Sequence, residues 1–275
     1  MPVRAPVASP PHKFGLFSVA LIQEDADAHT LGGVEYQAVC STRVDPYPVA
    51  CETTVPPELL GQPKETDTTT GITVGTPFGL YAGDSCVLGR TQPEARSQLR
   101  ARFLAGEQAT VERVVFSGEL GNVPNLIEAT VLASPAAPDL PDAVGLLEQW
   151  LATTTGGVGI IHAPRWLAPR AFLQVLALTA GPRAMTVLGS SWAFGTGYPG
   201  SAPAGQSADT ALWLYATPPV TVRRSGLIEP ADWASGGFDR EQNLGLLLEE
   251  RLYVVDWPCM SVAAIKTSLT RPGPP

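Results

Sequence analysis

A chain of 275 residues can close a hydrophobic core without metal or disulfide staples, since a folded chain of this size hides roughly three-quarters of the surface its unfolded form exposes. Hydrophobic residues make up 44% of it and charged residues only 16%, below the roughly one-quarter of ordinary soluble domains, which implies a surface partly covered by partner subunits. A net charge of -8 without long basic runs argues against tight binding to phosphate backbones, because such binding comes from clustered lysine and arginine displacing counterions.

Glycine and proline, 27 of each, are scattered rather than periodic, so the chain should turn often and use short strands. The expected class is α+β and β-rich. Pro2, Pro6, Pro10 and Pro11 keep residues 1–13 out of helices and central strands, leaving an extended arm. That segment lacks the apolar stretch of a secretion signal. No apolar run reaches the ~18 residues of a membrane span either, so the chain is expected to stay in the cytoplasm until something else moves it.

Val34 to Val39 and Gly79 to Tyr81 are β-prone, and between them the polar stretch Pro56 to Gly75 is expected to project as a long loop or hairpin. Thr91, Pro93 and Glu94 supply a capping hydroxyl, an early proline and a reciprocal carboxylate, which start a helix. Leu99, Phe103, Leu104, Val111, Val114 and Val115 recur at helical spacing up to Ser117 and Gly118. Arg96, Arg100, Arg102, Glu107, Gln108, Glu112 and Arg113 fall on the other sides. Such a helix would be roughly 40 Å long at 1.5 Å per residue, and Gly106 is expected to mark a bend.

Leu126 to Leu132 reads as a strand and Ser134 to Pro141 as a proline-rich link. A second helix is expected from about Asp142 to Thr154, stopped by Gly156 and Gly157, then a buried strand from Val158 to Ile161 ended by His162 to Pro164. A short helix follows at about Pro169 to Leu178. Strands are expected at Thr186–Leu188, Trp192–Phe194, Ala211–Ala216, Val220–Arg223, Leu244–Leu248, Arg251–Asp256 and Val262–Thr267.

Motifs for chemistry are sparse. Cys40, Cys51, Cys86 and Cys259 have neither zinc-ligand spacing nor the density of a disulfide scaffold. They read as reduced and mostly buried, with a Cys40–Cys51 pair as the alternative. The histidines, His12, His29 and His162, are too few for a triad or a histidine metal site. His162 reads either as a general base or, better, as a core histidine held by a backbone carbonyl. Gly195, Gly197 and Gly200 have G-x-G-x-x-G spacing, but Pro199 and the residues after it make a surface loop where a dinucleotide site needs a helix. Glu249 and Glu250 are adjacent on a strand and face opposite ways, so an ion pair with a neighbour fits them better than joint acid/base work. Trp192 with Phe194, and Trp213 with Tyr215, alternate with period two, which suits a core or a stacking platform. No catalytic, cofactor-binding or metal-binding residues are assigned, and no cofactor.

The order of elements resembles the major capsid proteins of tailed phages, the Johnson fold shared with encapsulin nanocompartments. The features that carry the likeness are the arm, the long loop and the helix with Gly106 to Glu112 leading into Phe116 to Gly118. They continue in a mixed lobe with Gly157 to Pro164 and a late strand from Glu250 to Cys259. Tyr36, Cys40, Cys51 and Lys64, Pro77 to Tyr81 and Ile161 to Pro164 are similar to structural proteins of phages of high-GC actinobacteria.

The resemblance implies residues 1–30 as an N-terminal arm and 31–133 as the extended loop and peripheral domain, with a spine helix at 91–117. It implies 139–249 as the axial domain, and 250–275 as return strands of the peripheral domain with a C-terminal tail. It further implies a structural protein rather than an enzyme, assembled in the host cytoplasm. Its first partner would be itself, in hexamers and pentamers, with scaffold, portal and decoration proteins as further partners of the family. The shell would enclose double-stranded DNA without sequence-specific contact and without a membrane. The rival readings are a tail, connector or decoration protein, an encapsulin-like shell, or an enzyme whose site is assembled from scattered Asp and Arg.

Overall fold

The structure is a computed structural model and describes residues 12–24, 26, 27, 29–40, 42, 44, 70–87, 91–134, 137–207, 211–231, 238, 239 and 244–269. The first half of the chain holds α1 (Leu16–Val19), β1 (Leu21–Gln23), β2 (Val34–Val39), β3 (Thr70–Gly75), β4 (Pro77–Val87), α2 (Gln92–Ser117) and β5 (Thr130–Val131). The second lobe begins with α3 (Leu140–Thr155), β6 (Ile160–Pro164), α4 (Ala168–Leu173), β7 (Leu178–Ala180), β8 (Arg183–Met185) and β9 (Ser191–Gly195). It is followed by β10 (Leu212–Thr217), β11 (Thr221–Arg224), β12 (Ile228–Ala231), β13 (Phe238–Asp239), β14 (Leu244–Asp256) and β15 (Ala263–Thr267). The class is α+β, as expected.

Among the described residues the strands form three sheets. Seven strands run in the order β5-β15-β10-β6-β9-β8-β7, and a second sheet joins β1, β11, β14 and β12, with β4 and β13 also paired to β14. The third is the two-stranded antiparallel ribbon of β2 and β3.

Period-two alternation makes the seven-stranded sheet a wall between two cores. Trp192, Phe194, Ile161, Leu212 and Leu214 point to one side, where α3 packs through Leu140, Leu147 and Leu151. Ile160, Ala193, Trp213, Tyr215 and Ala264 point to the other, toward Val111, Val114, Val115 and Phe116 of α2 and Tyr253 and Val255 of β14. Both aromatic pairs are therefore core, and Trp192 stacks on Phe194 with centroids 4.8 Å apart.

α2 forms where the sequence places it. The capping box of Thr91 and Glu94 closes, with the Glu94 carboxylate accepting the Thr91 N–H at 3.0 Å, and Gly118 ends the helix in the left-handed region at φ 68°. Twenty-six residues make the helix about 39 Å long. It lies on one face of the long β4–β14 pair. Leu247, Glu249, Arg251 and Tyr253 are buried beneath it, while Leu246 and Leu252 on the opposite face are exposed.

Several elements differ from expectation, each for a local reason. Leu126 and Ile127 are not a strand; their N–H groups donate to the Val115 and Phe116 carbonyls at 2.9 and 3.0 Å, satisfying the end of α2, and only Thr130–Val131 pair. Strand β6 starts at Ile160 rather than Val158 and runs through His162 to Pro164. Gly159 precedes it because a Cβ there would lie 2.1 Å from the Thr217 carbonyl oxygen. α4 ends at Leu173, ahead of Val175 in the left-handed region at φ 60°. Residues Val187 and Leu188 form a turn, and the strand lies earlier at Arg183–Met185. The two strands expected at 244–256 are one, since a single register against β4 continues from Leu244 to Val254.

The boundaries implied by the resemblance do not follow sheet membership. Residues 16–23, expected in the arm, are tied down: Leu16 is fully buried and β1 pairs in parallel with β11. β11 to β13 belong with β14 and β4, while β15 sits between β5 and β10 in the seven-stranded sheet. Residues 1–11, residues 45–69 with Cys51, Lys64 and most of the expected loop, and 270–275 lie outside the described residues.

Candidate functional site

The polar residues expected on the outer sides of α2 build the centre of the molecule. Glu107, Gln108 and Glu112 are buried, whereas Leu104, expected on the apolar face, is 48% exposed. Glu107 lies one turn after Phe103 and one turn before Val111, so it continues the stripe that faces the body.

Glu107 is a hub. Its Oε1 accepts from Arg251 Nη1 at 2.6 Å, Arg224 Nη1 at 2.7 Å and the Tyr253 hydroxyl at 2.7 Å. Burial, and next the Glu107 charge, push the Tyr253 phenol well above its ordinary pKa, so it stays a donor. Arg224 reaches further, to Glu24 through Nε at 2.9 Å, and lies over the Phe17 ring at 5.3 Å. The hub therefore joins the N-terminal segment, α2, β11 and β14.

Glu112 does the same with backbone groups. Its two carboxylate oxygens accept the N–H of Leu16 and that of Gly197, each at 3.0 Å. Burial raises its pKa, while the N–H groups of Leu16, Gly197 and Thr196 and the charge of Arg165 oppose that rise. Gly15 and Gly197 allow the approach. A Cβ on Gly15 would lie 1.9 Å from Gln108 Nε2, and one on Gly197 would lie 2.3 Å from the Ala109 carbonyl oxygen.

The G-x-G-x-x-G segment is a loop between β9 and β10, as expected, with Thr196 and Pro199 exposed, but its glycines are packed. It presses against the C-terminal half of α2 at Ala109, Glu112 and Arg113, and Tyr198 within it is buried against His162. The nearest helix supplies side-chain oxygen to the loop amides instead of receiving an anion from them, the reverse of a dinucleotide site.

His162 is a core histidine, with hydroxyls in place of the expected carbonyl. Nδ1 is 3.1 Å from the Tyr198 hydroxyl and Nε2 is 2.9 Å from Thr217 Oγ1. Burial lowers its pKa to about 3. It is sealed from substrate and neutral.

Glu249 and Glu250 face opposite ways, as the strand requires, and among the described residues Glu249 forms no ion pair within the chain. Glu249 is 1% exposed and neither carboxylate oxygen has a hydrogen-bond partner among the described residues. Burial raises its pKa against the pull of Arg100 and Arg96.

The cysteine expectation is overturned. Cys40 and Cys259 are disulfide-bonded, with Cα atoms 5.5 Å apart across 219 residues of sequence. The folded backbone brings them together, and nothing in their spacing announces it. Among the described residues no group of three or more His, Cys, Asp and Glu could hold a metal ion, and no helix is long and apolar enough to cross a membrane.

What remains for function is the outside. Large apolar side chains stand exposed in the second lobe at Trp166, Leu173 at 85%, Val175, Val187 and Leu188, and along the ribbon at Val39 and Ile72.

No protein-family model matches the sequence, and no curated protein matches it. Solved structures do. The capsid of an empty GTA particle aligns with a TM-score of 0.59 and 12% identity over 98% of this chain and 94% of that one. A chain of Microbacterium phage Oxtober96 aligns at 0.55 and 12% identity over 98% and 95%, and one of Mycobacterium phage Cain at 0.53 and 12% over 96% and 93%. An alignment complete in both directions, at identities this low, is a likeness of architecture: the chain has the phage capsid fold.

Proposed function

We propose that the chain is the major capsid subunit of a tailed phage, a structural protein that tiles a closed head shell around double-stranded DNA. The observation that carries this reading is the alignment to a capsid chain over nearly all of both molecules, leaving no unmatched domain to host another activity. Exposed apolar residues in the second lobe and on the ribbon fit a subunit that buries such side chains only against copies of itself, in hexamers and pentamers.

On this reading the lobe of the seven-stranded sheet with α3 and α4 is the axial domain. The β4–β14 sheet with α2 is the peripheral domain, and the β2–β3 ribbon is the base of the extended loop. The net charge of -8 suits a container whose wall does not adhere to its contents. Assembly takes place in the host cytoplasm, with scaffold and portal proteins as further partners.

The test is expression of the full chain followed by electron microscopy. Closed particles, or rings of five and six, are expected. A monodisperse monomer at concentrations where shells assemble would end the proposal.

A further inference from the structure

The β2–β3 ribbon pairs with neither large sheet among the described residues. It joins the body at Thr76, its base at Thr73 and Gly75 is buried against the end of β14, and further out it is held by a few groups. The Tyr36 hydroxyl donates to Asp256 Oδ1 at 3.0 Å, the Cys259 N–H to Thr73 Oγ1 at 2.8 Å, and Thr42 Oγ1 to the Thr153 carbonyl at 2.6 Å. The covalent tie among these is Cys40–Cys259, from the end of β2 to the turn between β14 and β15.

Both cysteines are partly exposed, and a cleft of about 270 Å³ lined by Val39, Thr155, Val158, Pro258 and Cys259 opens beside the bond, so a small thiol can reach it. The turn it holds is unfavourable for its residues: Cys259 and Met260 lie in the left-handed region at φ 61° and 49°, where glycine is preferred. A free Cys259 would let that turn relax and loosen the Thr73 contact with it.

We propose that Cys40 and Cys259 are a thiol–disulfide latch, open in a reducing cell interior and closed in an oxidising medium, that sets whether the ribbon can swing or is fixed to the body. The inference rests on the shell reading, since the ribbon is the element that would reach a neighbouring subunit. Closure uses a low-molecular-weight disulfide such as oxidised glutathione. One cysteine thiolate attacks it, forming a mixed disulfide and releasing one small thiol. The second thiolate attacks the protein sulfur of that mixed disulfide and releases the other. The two cysteines lose two electrons and two protons in all, and the small disulfide gains them. Cytosolic glutathione keeps such a pair reduced, and release from the cell reverses that.

The experiment uses the full-length protein equilibrated in dithiothreitol or in oxidised glutathione. Bonds are mapped by mass spectrometry of unreduced peptides, and backbone hydrogen exchange is followed at 34–39 and 70–75, with 92–117 as internal reference. Oxidation is expected to yield a Cys40–Cys259 peptide and to slow ribbon exchange about tenfold, leaving α2 unchanged. Cys40→Ser and Cys259→Ser should exchange at the reduced rate in both media. Equal ribbon exchange with the bond formed and broken, or pairing of Cys40 with Cys51 instead, would overturn the latch. Microscopy of the same samples separates the two ideas. Particles with equal exchange defeat the latch alone, whereas a tenfold difference without particles defeats the shell reading alone.

Discussion

Replacing Gly197 by alanine tests whether the glycine loop is a structural partner of the long helix or a dispensable surface turn. The new Cβ would stand 2.3 Å from the Ala109 carbonyl oxygen and 2.6 Å from the Arg113 nitrogen, both backbone atoms of α2 that cannot rotate away. Overpacking of this kind costs about 1–3 kcal/mol. A loop pushed off the helix also withdraws its N–H from the buried Glu112 carboxylate, and a hydrogen bond to a charged group contributes about 1.5–3 kcal/mol. A loss of about 4 kcal/mol follows, which for a chain of this size is a fall in Tm of about 8–16 °C. Gly106→Ala is the control: a Cβ there meets nothing within 4 Å, so the same helix should gain about 0.5–1 kcal/mol. Thermal and urea unfolding of both variants would measure this. A Gly197→Ala protein within about 0.5 kcal/mol of the parent would refute the packed-loop account.

Glu107→Ala strands Arg251 in the interior, leaves Arg224 with Glu24 alone, and should cost about 3–5 kcal/mol in urea unfolding, whereas the double change Glu107→Leu with Arg251→Met should cost less than the single one. His162 has a folded pKa of about 3 against 6.5 unfolded, so its contribution is full above about pH 6.5 and is lost as pH falls toward 3. At pH 5 the loss is about 2 kcal/mol, and the His162→Gln protein should show a pH–stability profile flatter by that amount; coincident slopes would disprove it. Glu112 has the opposite sign. Its folded pKa is raised, so the parent regains stability as pH falls through that range, and Glu112→Gln should steepen the acid loss. Glu94→Ala removes half of the capping box and should lower stability by about 0.5–1 kcal/mol, read from the same unfolding curves.

Local signals were legible in the chain wherever a few neighbouring residues decide the outcome. The Thr91 cap and the Gly118 stop bound α2, Gly156 ends α3, and alternation identifies the core aromatics, because caps, positive φ and period two act within one turn or one strand. Polarity alone puts Glu107, Gln108 and Glu112 on the outer sides of α2, whereas their positions along the helix put them inside. All three sit on the stripes that carry Phe103, Val111 and Val115, and that geometry was available to find them.

The sequence alone thus determined the two main helices, most of the long strands, the α+β class and the likeness to a capsid subunit, since these depend on short-range periodicity and on the order of elements. The tertiary structure alone decided that Cys259 meets Cys40, that Gly197 seats on α2 and that one carboxylate gathers Arg224, Arg251 and Tyr253. These partners stand 85 to 219 residues apart, and only chain closure over such lengths, repaid by burial of the elements between, makes them neighbours.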